Sequence, residues 1–340
     1  MAIRIGFIGA GGIARAHLRD LEQMADRVEI AGFCDVVREN AERAAQPYGA
    51  RVYDSAAELA RDVDAVYICV PPFAHGEPEQ ACIAARKPFL VEKPVALSLA
   101  LAREIERAVA DAGLLTAVGY HWRYSMPIQR ARELLQGATI GMLLGYWMGA
   151  GPRPGATLRP GWWWGVEAKS GGQIVEQTTH IVDSARYLAG EVVSVHARLA
   201  QRVMGAVAGF DAPDVGVVNL EFESGAIGMI ANSCMLPRAA TVGIHVIAEG
   251  EERLMVEAGL SGLKVTYADR IVEYPVGRDG FQQAFLAEDT AFVDAVLRGD
   301  PSGIRSSYAD GVRSLAISLA AVESARTGQP IRLVGSLPVG

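Results

Sequence analysis

Two short segments of this 340-residue chain put proton-carrying side chains where a simple core would have no use for them. In residues 89–98, FLVEKPVALS, the run Phe89, Leu90, Val91 reads as the end of a buried strand, yet Glu92, Lys93 and Pro94 follow at once. A lysine at a strand tip that lines a ligand crevice can hydrogen-bond a reacting hydroxyl and help carry its proton. In residues 171–183, GGQIVEQTTHIVD, two glycines precede a predicted helix on which Glu176, His180 and Asp183 follow at spacings of four and three, hence on one face. A histidine so placed can take a hydroxyl proton, with Glu176 or Asp183 fixing its ring. The blander readings are an exposed ion pair at a strand end and a polar helix face satisfied by solvent or by a domain contact. A metal site on Glu176 and His180 lacks third and fourth ligands at identifiable spacing.

The elements around these residues favour the chemical reading. The first 120 residues alternate strand and helix patterns, which implies parallel pairing through right-handed crossovers and so a doubly wound Rossmann-type α/β sheet. The first strand runs into GAGGIA, which sets Gly9, Gly11 and Ala14 as G-x-G-x-x-A at a strand–turn–helix junction, with Gly12 and Ile13 opening the helix. Such glycines let backbone N–H groups approach a pyrophosphate at the positive helix end. Asp35 closes the second strand 21 residues after Ala14, where a carboxylate accepts from both ribose hydroxyls and repels a 2′-phosphate; this favours NAD over NADP. Arg38 is the one nearby residue that could partner a phosphate. CVPPFAH, residues 69–75, follows the third predicted long strand and should line the same crevice, with Val70 and Pro71 as wall and His75 capping its helix or touching cofactor. Lys93 and Glu92, on that edge too, then face a nucleotide.

Beyond residue 125 the pattern becomes antiparallel hairpins with short turns such as ESG and AEGEE, and two helices at about 281–299 and 306–326 end the chain. The expected organisation is a Rossmann domain over 1–122 and an α+β domain over 123–340 with a large open, mostly antiparallel sheet; the last helix is free to pack back on the first domain. GYHWRYS at 119–125 leaves the last strand of the first domain, so Tyr120, His121 and Arg123 can reach cofactor or substrate, and His121 is a rival base to His180. Trp162, Trp163 and Trp164 offer indole faces for sugar C–H groups, or a subunit contact, and PRPGATLRP at 152–160 reads as an irregular loop. An open sheet with alternating apolar residues needs cover, which points to a homodimer or homotetramer.

Composition sets the bounds. The net charge of −7 argues against nucleic acid and anionic membrane, no apolar run suits a membrane span, and the start MAIRIGFIGAGG does not read as an export signal. Cys34, Cys69, Cys82 and Cys234 form no Cys-x-x-Cys pair and read as reduced core thiols of a cytoplasmic protein.

In order and spacing, GAGGIA, VPPFAH, VEKP and GGQIVEQTTHIVD resemble the glucose–fructose oxidoreductase / inositol dehydrogenase / MocA family of NAD(P)-dependent oxidoreductases, over nearly the whole chain. That resemblance implies a dehydrogenase acting on a secondary alcohol of a sugar, polyol or derivative, with Lys93 in the catalytic lysine position and His180 as acid/base in preference to His121. The family most often has aspartate where Glu176 stands, so this residue's reach to substrate hydroxyls is altered by one methylene. Other outcomes on the same frame are an NAD-dependent glycoside-cleaving enzyme and a non-enzymatic dinucleotide-binding sugar sensor.

Overall fold

The computed structural model describes residues 2–338 except 154, 159, 160, 239 and 278. The chain divides into two compact units, Met1–His121 with Gln282–Val312, and Trp122–Phe281 with Arg313–Gly340.

The first unit holds a six-stranded parallel sheet of β1 (Ile3–Ile8), β2 (Val28–Cys34), β3 (Arg51–Val52), β4 (Ala65–Ile68), β5 (Phe89–Val91) and β6 (Thr116–Val118), in the order β3-β2-β1-β4-β5-β6. This is the doubly wound order in which chain direction reverses beside β1, and ligand crevices form outside the carboxyl ends of strands at such a reversal. The strands are buried on both faces, which is why they read as near-continuous apolar runs. β3 has only two residues and gives no such run. The helix Gly12–Leu21 sets Ala14, Leu18 and Leu21 into the core around β1. The helix Gly280–Arg298, remote in sequence, adds Phe292 and Val293 to the same cluster.

The second unit is built on a ten-stranded sheet: β7 (Thr139–Ala150), β8 (Val192–Ala200), β9 (Val215–Phe222), β10 (Ile227–Leu236), β11 (Thr241–Glu249), β12 (Arg253–Gly259), β13 (Gly262–Thr266), β14 (Ile271–Pro275), β15 (Ile331–Val334) and β16 (Leu337–Pro338). Its order is β14-β13-β12-β11-β7-β10-β9-β8-β15-β16, antiparallel apart from the β10–β7 pair. This is the large, mostly antiparallel sheet expected. Burial alternates strictly along β9, so one face is covered and the other open. The helix Thr179–Ala189, buried at nearly every position, lies against β7. Of the irregular loop expected at 152–160, positions 154, 159 and 160 lie outside the described residues. Among the described residues no helix is long and apolar enough to cross a membrane.

The close approach of the Thr179–Ala189 helix to β7 depends on Gly145, where a Cβ would stand 2.5 Å from the Ile181 methyl. Gly145→Ala should therefore cost about 1–3 kcal/mol of stability by overpacking, measured as a lower urea midpoint with unchanged slope.

Candidate active site

In the first unit, Gly9, Cys69–Val70 and Glu92–Lys93 follow the carboxyl ends of three adjacent strands, β1, β4 and β5, and so share one sheet edge. Gly9 has φ +90°, and a Cβ there would meet the Cys69 carbonyl at 2.4 Å, so only glycine fits. Gly11, by contrast, has nothing within 4 Å of a would-be Cβ, and it caps the helix Gly12–Leu21 without a side chain. An open helix N-terminus with Gly12 and Ile13 in its first turn suits a pyrophosphate. Asp35 Oδ2 accepts the Ala10 N–H and Oδ1 accepts the Val37 N–H, both at 2.8 Å. Each oxygen keeps a lone-pair direction for a ribose hydroxyl. Arg38 instead turns to carboxylates, donating to Glu42 at 2.9 Å and to Asp54.

His75 is buried and meets Glu79 through Nδ1 at 2.6 Å, while the other Glu79 oxygen accepts the Gly76 N–H. A carboxylate on Nδ1 selects the tautomer that leaves a lone pair on Nε2, which has no partner among the described residues. A cofactor hydroxyl would satisfy it.

Glu92 is aimed inward. It is 4% exposed; Oε1 lies 3.2 Å from His17 Nε2, and Oε2 accepts the Lys93 N–H at 3.1 Å. Glu92, expected at the cofactor, thus takes part in an internal ion pair. His17, fully buried on the Gly12–Leu21 helix, gives its Nδ1 to Asp289 Oδ1 at 2.8 Å. Burial alone would lower the His17 pKa, but the Asp289 charge and the hydrogen bonds to Asp289 and Glu92 outweigh it and hold the ring as imidazolium. Lys93 is half-buried. His121 is stacked on Phe285 at 3.8 Å between centroids. Burial first, then the charges of Lys93 and His17, push its pKa well below the usual range. Tyr120, expected at a ligand, is fully buried.

In the second unit, Arg123 forms a two-pronged pair with Asp183, Nε to Oδ2 at 2.8 Å and an Nη2 bond to Oδ1 at 2.6 Å, with both side chains buried. Ser314 also donates to Asp183 Oδ1 at 2.7 Å. Arg123, expected at the substrate, is paired in the interior with Asp183, and Asp183 also accepts from Ser314. His180 is 3% exposed and stacks on Trp147 at 5.8 Å and 23°, and Trp147 packs on Trp122 at 6.2 Å. The single helix expected to carry Glu176, His180 and Asp183 is broken: Gln173–Glu176 forms one turn and the main helix starts at Thr179. The reason is a change of hydrogen-bond phase. Thr178 N–H reaches back five residues to Gln173, and His180 N–H only three, to Gln177. Glu176 and His180 are therefore not related by one helical ladder. Trp163 is half-buried, Trp164 meets Phe210 edge-on at 5.8 Å, and Trp162, 40% exposed, stacks on Trp164. The tryptophan run is thus partly a satellite core with Met204, Val207 and Phe210.

Sequence reasoning missed His17, Asp289 and Trp147. Only His17 left a local signal, a polar residue on the helix face that buries Ala14, Leu18 and Leu21. Asp20 is on that face too, accepting from Gln282. Burial, with repulsion from Asp289, pushes its carboxyl from the ordinary 3.8 up to about 6. The native state then holds this proton more tightly than the unfolded chain, so the stabilisation is complete below about pH 4 and is lost as pH rises through 6. Asp20→Asn, which cannot ionise, should be more stable than wild type at pH 8 by roughly 1–3 kcal/mol, with the gap closing towards pH 4 in denaturant titrations. Breaking the other network, Asp183→Ala should cost about 3–5 kcal/mol by stranding the Arg123 guanidinium, read the same way.

Residues 3–120 match the profile of an oxidoreductase family with an NAD-binding Rossmann fold, and residues 128–252 match the GFO/IDH/MocA C-terminal domain. The myo-inositol 2-dehydrogenase of Thermotoga maritima is 28% identical over 347 residues, covering 97% of this chain and 98% of its own. The structure of GenD2 from gentamicin A biosynthesis in complex with NAD is similar with a TM-score of 0.82 at 26% identity, over 98% of this chain and 97% of that one. Levoglucosan dehydrogenase in complex with NADH and levoglucosan shares the fold, with a TM-score of 0.88 at 22% identity over 98% and 99%. The chain belongs to the glucose–fructose oxidoreductase / inositol dehydrogenase / MocA family of oxidoreductases.

Proposed function

We propose that the protein is an NAD-dependent dehydrogenase that moves a hydride between a secondary alcohol of a cyclic polyol or sugar and nicotinamide. The observation that carries this reading is the shared sheet edge of β2, β1, β4 and β5, where Asp35 follows β2, an open glycine loop follows β1 and a half-buried Lys93 follows β5. The names of the inositol dehydrogenase relatives point to the cyclic polyol. Bound NAD would supply the two-electron acceptor. The chain's own part is to hold and move a proton. Lys93 hydrogen-bonds the reacting oxygen and His180 takes its proton, the His180 ring being kept in plane by Trp147. His121 is the weaker base, since a pKa pushed far below neutrality gives it little pull on a hydroxyl proton. Glu176, half-buried one turn before His180, is left to contact substrate hydroxyls, with Trp163 on the neighbouring loop. NAD is favoured over NADP because Asp35 stands at the ribose position and the Arg38 guanidinium is engaged by Glu42 and Asp54.

The open face of the second sheet supports a homodimer or homotetramer. Ile227, Met142 and Ile247 are cross-strand neighbours on β10, β7 and β11, and all three are exposed. Light scattering should give a multiple of the chain mass, and Ile227→Glu should lower it.

A panel of inositols, aldoses and amino sugars, followed by NADH absorbance, tests the activity. On the substrate found, Lys93→Ala and His180→Ala should each lower kcat by about 10²–10⁴ while NADH binding stays near wild type. Full activity in Lys93→Ala would end the assignment, and turnover without net NADH would indicate transient oxidation instead. Asp35→Ala should raise the KM for NAD about tenfold or more through loss of charge-assisted bonds and narrow the preference over NADP.

A further inference from the structure

One deeply buried charged cluster of the first unit is used by none of the steps above. His17 bridges two carboxylates from distant parts of the chain: Glu92 at the tip of β5 and Asp289 on the helix Gly280–Arg298. Its ring cannot swing away, because Tyr67 and Phe285 pack on it at 5.2 and 5.7 Å between centroids. The Glu92 carboxylate is confined in turn. A Cβ at Gly119 would lie 2.8 Å from its Oε1 and 3.0 Å from its Oε2, so the carboxylate rests directly against glycine backbone. Its remaining bond, from Oε2 to the Lys93 N–H, fixes the peptide from which the lysine side chain departs.

We propose that His17 is a positioning residue for proton transfer: by holding the Glu92 carboxylate it sets the backbone of the Glu92–Lys93 turn and thereby the place of the Lys93 amine. The proposal rests on the dehydrogenase reading for its catalytic consequence, but the geometric part stands without it. An imidazolium with two carboxylates is a poor way merely to fill a core, since apolar residues of the same volume are often as stable or more so. What the charged arrangement adds is direction. Asp289 anchors one ring nitrogen to a helix, and the other nitrogen then meets Glu92 at a fixed point. Asp289 is the anchor, His17 the strut, and Glu92 the part that touches the turn.

The two bonds of His17 can be separated by substitution. An asparagine amide overlaps the Nδ1 position and a glutamine amide the Nε2 position, so His17→Asn keeps the bond to Asp289 and His17→Gln keeps the bond to Glu92. Both remove the positive charge and should lower the melting temperature alike. If His17 acts through Glu92, His17→Asn should lose about 10²-fold in kcat, the scale of a misplaced catalytic group, with the KM for NAD little changed. His17→Gln should recover at least tenfold of that loss. Gly119→Ala, which displaces the Glu92 carboxylate without touching His17, should reproduce the Asn result even where a His17 variant folds poorly.

A second readout needs no substrate. The chain has four lysines, Lys87, Lys93, Lys169 and Lys264. After reductive ¹³C-methylation each gives a resolvable methyl signal, and Lys93 is assigned by Lys93→Arg. The Lys93 signal should shift or broaden in His17→Asn and Gly119→Ala and stay near wild type in His17→Gln, while Lys169 and Lys264 do not move. A Lys93 signal unchanged in all three variants, or equal losses in Asn and Gln that track melting temperature, would reduce His17 to a structural bridge and overturn the proposal. Absence of turnover by wild type on every polyol and sugar tested would overturn the dehydrogenase reading, and the methyl spectra would still decide the role of His17.

Discussion

An imidazolium taken out of water is tolerable only when both of its N–H groups meet carboxylates, and this constraint shapes the first unit. Desolvating the three charges of His17, Glu92 and Asp289 costs several kcal/mol per ion unless every partner is in place. The three side chains come from the helix Gly12–Leu21, the end of β5 and the helix Gly280–Arg298. None of these segments can shift without exposing an unpaired charge to a low-dielectric interior. The glycine loop, which opens the first of those helices, is thereby tied to the strand tip that carries Lys93. The same requirement explains why Gln282–Val312 belongs to the nucleotide-binding unit although it lies at the far end of the chain.

The second unit applies the same physics to a different segment. Arg123 and Ser314 satisfy Asp183, one turn after His180 on the Thr179–Ala189 helix, and the Trp147 ring stacks beside the His180 ring at 5.8 Å between centroids. The helix is pressed against β7 at Gly145, where no side chain intervenes. An aromatic stack limits ring rotation about one axis and the Asp183 network fixes the helix about another. Each proposed proton-handling residue is thus backed by a buried ion pair of its own unit.

How much of this was legible in the sequence follows from the range of each interaction. The alternation of strands and helices, the glycine turn and the place of Asp35 are local patterns, and the sheet order, the Gly9 conformation and the Asp35 bond to Ala10 are what those patterns require. The partners of His17 lie 75 and 272 residues away, and the Arg123–Asp183 pair spans 60; no periodicity announces such pairs. Arg123 therefore read as a residue able to reach cofactor or substrate. The break between Glu176 and His180 was hidden for another reason. Spacings of four and three assume an unbroken i→i−4 ladder, and two adjacent threonines, poor in helical interiors, sit where the hydrogen bonds change phase.

The pair Glu92 and Lys93 shows how strand geometry lets one buried bond set where the neighbouring side chain starts. The Glu92 N–H still bonds to Ile68, so the β5 ladder with β4 continues through this residue. Successive side chains along a ladder point to opposite sides. Once the Glu92 carboxylate is drawn inward to His17, its neighbour is directed away from that interior, consistent with a lysine that stays half-buried while the glutamate is not exposed. Pro94, which lacks an N–H, then ends the ladder, so nothing downstream can slide the register by one residue and exchange the two side chains. A surface Glu–Lys contact would be worth at most about 1 kcal/mol and would fix neither partner. Splitting the pair, with the acid buried and bonded to His17, gives the lysine side chain a defined origin on the backbone.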